Sequence, residues 1–133
     1  MPRELLMASL GYTMIGVAKT TPGTRLAKTT MLDALHQVGV ADPALPNILP
    51  WDPMTLLIGA IRKLGFDATA TQIRDEILSQ SSFAGSNGMY NFTRTAMPGE
   101  RNRGVDPMSS GVIRWDKDTK SLSIVSKPGG LPL

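Results

Sequence analysis

The sequence contains no cysteine, which excludes disulfide bonds and thiolate chemistry. It contains one histidine, His36, and its acids are scattered, so no metal centre is expected. Aromatic residues are sparse, with two Trp, two Tyr and three Phe in 133 residues. No apolar run approaches the ~20 residues that a membrane-spanning helix needs. The opening stretch from Met1 to Leu10 has a short apolar patch interrupted by Glu4. It lacks the ~7–15-residue apolar centre of an export signal, so the chain as written is read as carrying none.

What is present reads as one globular domain, with 41% hydrophobic and 19% charged residues. A chain of this length buries about 65–70% of the surface that its unfolded form exposes, enough for a core. The formal charge of +3 is ordinary for a soluble surface. Arg94, Arg101 and Arg103 cluster, but Glu100 and Asp106 lie among them and only Tyr90 and Phe92 are near. A nucleic-acid platform needs a denser basic stripe with aromatics to stack on, so nucleic acid is not expected as a partner.

Hydropathy patterning places the elements. Residues 4–10 read as a buried strand and 11–23 as a loop. Residues 24–38 read as a helix with Leu26, Met31, Leu35 and Val38 on its apolar face, stopped by Gly39. Pro43, Pro46 and Pro50 make 39–50 an extended connection. The strongest helix spans 53–64, with Asp52 as N-cap, Pro53 in the first position, and Met54, Leu57, Ile58 and Ile61 as its stripe. Leu56 and Ala60 lie off that stripe, so burial on more than one side is expected. Thr69 and Gln72 form a capping box for a helix over 70–79. A turn at 81–87, a strand at 89–92 and a long crossover at 94–107 follow. Strands at 111–115 and 121–125 flank the polar turn 116–120, and the Pro/Gly-rich tail 127–133 reads as frayed.

Catalytic chemistry is hard to assemble from these residues. His36 with Asp33 one turn earlier could be a base with its orienting acid, but no activated nucleophile accompanies them. His36 is therefore read as a surface residue favoured by the helix C-terminus, and the chain as a non-enzyme without cofactor or metal. Gly85 and Gly88 lack the spacing of a phosphate loop. Asn91, Phe92 and Thr93 match a glycosylation sequon, relevant only in a eukaryotic secretory setting. Trp51 stands at the mouth of the strongest helix, where a flat side chain can floor a ligand pocket or anchor the core, and the helix amides can favour an anionic group.

A series of pieces carries a resemblance. They are Asp33-Ala34-Leu35, Trp51-Asp52-Pro53 before a helix ending Arg62-Lys63-Leu64-Gly65, and the run Thr71 to Ile77. Ser82 to Gly85, Gly88 to Phe92 and Val112 to Trp115 complete it. The series resembles the C-terminal part of the type I periplasmic solute-binding proteins of branched-chain amino acid ABC transporters, the Leu/Ile/Val-binding-protein-like family. The resemblance implies an α/β fold, a partial version of that two-lobed architecture, with three helices, short strands and a C-terminal hairpin. Residues 4–10 would be a second-lobe strand and 24–92 first-lobe helices and strand. Residues 94–107 would be a crossover, longer than the family's usual one, and 111–125 a second-lobe hairpin. It further implies domain closure on an amino-acid-like solute without covalent chemistry, a membrane permease as partner, and a periplasmic setting. Trp51 and Asp52 are the candidate ligand-binding residues. The segments that usually grip the solute's amino and carboxylate groups have no counterpart here, so a C-terminal fragment is expected, with exposed apolar stripes that drive homo-oligomerisation. A sensor or protein-interaction module on the same fold, or a truncated fragment that binds nothing, is the alternative.

Overall fold

The computed structural model describes residues 4–9, 20–43, 45–93 and 110–133. Leu10, the loop residues 11–19 and the crossover read at 94–107 lie outside the described residues. Among the described residues the architecture is mixed α/β, with three main helices and two small antiparallel sheets.

Strand β1 (Glu4–Ser9) pairs antiparallel with β4 (Gly111–Asp116), which pairs antiparallel with β5 (Ser121–Ile124). The sheet order is therefore β1-β4-β5, joining the two ends of the described chain. Ile113 on the central strand is fully buried. Edge strand β1 leaves Leu5, Leu6 and Met7 exposed, where its apolar run predicts a buried strand. A central strand is covered by a neighbour on both sides, whereas β1 has only one pairing neighbour among the described residues. The β4–β5 turn closes locally. Asp116 accepts from the amides of Asp118 at 2.8 Å and Thr119 at 3.0 Å. The Thr119 amide, then that of Asp118, holds the Asp116 carboxyl below its ordinary range.

The tail does not fray at its start. Ser126 is buried, accepts from the Val112 amide at 2.8 Å and donates to the Lys127 carbonyl. The Gly129 amide donates to Ser110 within the 3₁₀ turn Pro128–Gly130. These bonds fasten the tail onto β4, which the Pro/Gly content alone could not reveal.

Helix α1 (Pro22–Gln37) starts two residues earlier than the pattern suggested. Thr21 caps it by accepting from the Thr24 amide, which frees Pro22 for the first helical position. It stops at Gly39, whose φ is +87°. There the Val40 amide bonds to the Leu35 carbonyl and the Gly39 amide to His36, a Schellman closure. Met31 is buried, whereas Leu26 and Val38, read as core, are exposed. The proline-rich connection is not wholly extended, because a short helix α2 (Leu45–Ile48) interrupts it and buries Ile48.

Helix α3 (Trp51–Leu64) begins at Trp51, with Pro50 as its N-cap, so Asp52 lies in the first turn and does not cap. Its buried stripe is Asp52, Leu56 and Ala60, at i, i+4 and i+8. Met54 and Ile58 of the expected stripe are exposed. Leu57 and Ile61 of that stripe are half-buried, so α3 is covered on more than one side, as the off-stripe Leu56 and Ala60 predict. Helix α4 (Ala70–Leu78) carries the expected capping box, with Thr69 accepting from Gln72 and Gln72 Oε1 accepting from the Thr69 amide at 2.8 Å. It packs on α3, and Lys63 Nζ reaches both Glu76 carboxylate oxygens at 2.8 Å.

The stretch expected to be a turn followed by one strand is a compact hairpin of β2 (Phe83–Ala84) and β3 (Met89–Tyr90). It stands at the N-terminal ends of both α1 and α3. A Cβ placed on Gly23 would lie 3.0 Å from Ala84 Cβ, so α1 approaches β2 closely at its first turn. The Thr21 hydroxyl also reaches the Met89 sulfur at 3.6 Å.

Candidate functional site

The most organised polar cluster among the described residues forms where the β2–β3 loop meets the first turn of α3. Asp52 is 2% exposed, and both of its carboxylate oxygens are used. Oδ1 accepts from the Ser86 amide at 2.7 Å and the Ser86 hydroxyl at 2.8 Å. Oδ2 accepts from the Asn87 amide at 2.9 Å, the Asn87 side-chain amide at 3.1 Å and the Tyr90 hydroxyl at 2.9 Å. A buried carboxylate is costly unless its lone pairs are satisfied, and these donors satisfy them.

Local sequence makes this possible. A loop of four residues, Gly85 to Gly88, joins two very short strands, and its Gly85 amide bonds to the Gly88 carbonyl at 2.9 Å. The loop therefore turns the consecutive amides of Ser86 and Asn87 toward one point, as an anion-binding concavity does. Gly85 is required by space. A Cβ there would collide with Asp52 Oδ2 and lie 2.6 Å from Tyr90 Cε2. Tyr90 is flanked by Phe83, with ring centroids 5.7 Å apart, and by Phe92, stacked at 6.1 Å. Burial first, and then the negative charge of Asp52, raise the Tyr90 phenol well above its ordinary pKa.

Trp51 and Asp52, the two candidate ligand-binding residues, thus occupy different environments. The carboxylate of Asp52 is engaged inside the protein, while Trp51 remains half-buried at the head of α3. What the clasp does for Trp51 is mechanical: it fixes the first turn of the helix that carries it. His36 is exposed in the last turn of α1. No group of three or more His, Cys, Asp or Glu side chains suited to a metal ion forms among the described residues. No helix among them is long and apolar enough to cross a membrane.

Sequence reasoning missed Gly85, Ser86, Asn87 and Tyr90 as partners of Asp52. The signal available was the register of Asp52 with Leu56 and Ala60. A carboxylate on a stripe of small and apolar residues must find donors, and the Gly-Ser-Asn-Gly loop is a dense local source of them.

Comparison of the chain with protein-family models, with curated proteins and with solved structures returns no match.

Proposed function

We propose that the chain supplies the C-terminal portion of a solute-binding receptor of the type I periplasmic kind, serving an ABC importer of amino acids or similar small organic solutes. The observation that carries the reading is the path of the chain. It leaves the sheet after β1, builds the helices and the β2–β3 hairpin, and returns at β4 to pair beside β1. A chain that leaves a sheet, builds a helical segment and returns to the same sheet supports such a receptor, whose hinge is made of segments that run out and back. In this reading Trp51 forms an apolar wall of the solute cleft, and Asp52 holds the helix end that presents it. No covalent step is involved, and a membrane permease is the partner.

The same reading includes self-association. Leu5 and Leu6 are 49% and 59% exposed on β1, and Phe66 is 98% exposed beyond α3. Apolar surface of this kind favours association with another protein surface, and a second copy is the simplest one.

Calorimetric titration of the full chain with a panel of α-amino acids and short aliphatic carboxylates tests the function. Saturable heat with one or more members, weakened at least about tenfold by Trp51→Ala, is the expected result. Absence of binding across the panel at millimolar concentrations would remove the solute-binding reading.

A further inference from the structure

Asn87 and Gly88 form the pair through which an asparagine side chain most readily attacks its own backbone, because glycine places no side chain beside the attacking amide. Of the four asparagines, Asn47, Asn87, Asn91 and Asn102, only Asn87 precedes glycine. The pair sits inside the Asp52 clasp. The Asn87 side-chain amide donates to Asp52 Oδ2 at 3.1 Å, and its main-chain amide donates to the same oxygen at 2.9 Å.

We infer that Asn87 is a self-modification site, a deamidation switch that the Asp52 clasp holds closed. The chemistry needs only water. The Gly88 backbone nitrogen, deprotonated by base, attacks Asn87 Cγ. A new Cγ–N bond forms, the Cγ–Nδ2 bond breaks and ammonia leaves, giving a five-membered imide. Water then opens that ring at either carbonyl, leaving an aspartate or an isoaspartate at position 87. The net change is one water consumed and one ammonia released.

The clasp controls the first step. Attack requires the side chain to swing onto its own following amide, and two hydrogen bonds to Asp52 hold residue 87 away from that geometry. Reaction therefore proceeds from conformations in which the loop has left Asp52, so its rate reports local opening. The product cannot reclose the clasp in the same way. The lost side-chain donor becomes a carboxylate facing Asp52 Oδ2 at hydrogen-bonding distance, and two like charges so close cannot both remain ionised at low cost. The isoaspartate product also lengthens the backbone within a four-residue loop whose consecutive amides must stay aligned. One opening event is thereby converted into a permanent release of the β2–β3 hairpin from the head of α3. This inference does not depend on the solute-binding reading.

The test compares the full wild-type chain, folded in buffer and unfolded in guanidinium chloride at the same pH and temperature. The fraction of the peptide spanning Asn87 that gains one mass unit, and its isoaspartate content, are followed over days. The inference expects conversion at Asn87 in the unfolded chain and conversion at least about tenfold slower in the folded one. It also expects the Asn87→Asp chain to melt below wild type. Equal rates in the two states, no conversion at Asn87 in the unfolded chain, or an Asn87→Asp chain that melts as wild type would overturn it.

Discussion

The hydroxyl of Tyr90 donates to Oδ2 of Asp52 at 2.9 Å, joining residues 38 positions apart in the chain. Around that bond the first turn of α3 and the β2–β3 loop are locked together.

Replacing Asp52 with Ala removes the acceptor for five donors, two of them on the fully buried Ser86. Unpartnered buried donors keep their desolvation cost, so a loss of about 2–4 kcal/mol is expected. Urea denaturation of wild type and variant measures it. A change below about 0.5 kcal/mol, the scale of a neutral surface substitution, would contradict the clasp as an anchor.

Gly85→Ala puts a methyl group into the space held by Asp52 and the Tyr90 ring. Overpacking of this kind costs about 1–3 kcal/mol, visible as a lower melting temperature by circular dichroism. Gly59→Ala is the control. A Cβ there meets nothing within 4 Å, and alanine favours the interior of α3.

Alkaline pH reads Tyr90 directly. The folded state raises this phenol's pKa, so its stabilising contribution is complete below the ordinary tyrosine value of about 10 and declines as pH rises beyond it. Stability measured from pH 8 to 11 is expected to fall above about 10 more steeply in wild type than in Tyr90→Phe. Identical profiles would show that the phenol does not sense the clasp.

The local devices give a graded contrast. Thr69→Ala removes the α4 cap and costs about 1 kcal/mol. Lys63→Ala removes an ion pair whose lysine is largely exposed, and costs about 0–1 kcal/mol. Chemical denaturation resolves the order, and a lysine effect exceeding the cap effect would reverse it.

What the sequence disclosed follows from distance along the chain. The capping box at Thr69 and Gln72, the stop signals at Gly39 and Gly65, and the hairpin around Asp116 are written within a few residues, and each was legible. The mixed α/β class is what the resemblance implied, and the structure shows it at that general level. Burial of α3 beyond its expected stripe was legible from Leu56 and Ala60, but Asp52 as the head of that buried row was not, because its donors lie more than 30 positions away. The β2–β3 hairpin escaped because each strand is two residues long, too short for alternation to appear. Asp52 looked like a helix cap, since the local pattern fits one. Its donors come from another element, which only the folded chain brings near.

The claim that Trp51 walls a solute cleft is tested most directly by its own fluorescence. A Trp115→Phe chain carries Trp51 as its single tryptophan. Titrating that chain with α-amino acids is expected to give a saturable change in emission with at least one of them. An emission spectrum that stays unchanged through millimolar additions of every member would contradict the solute-binding reading.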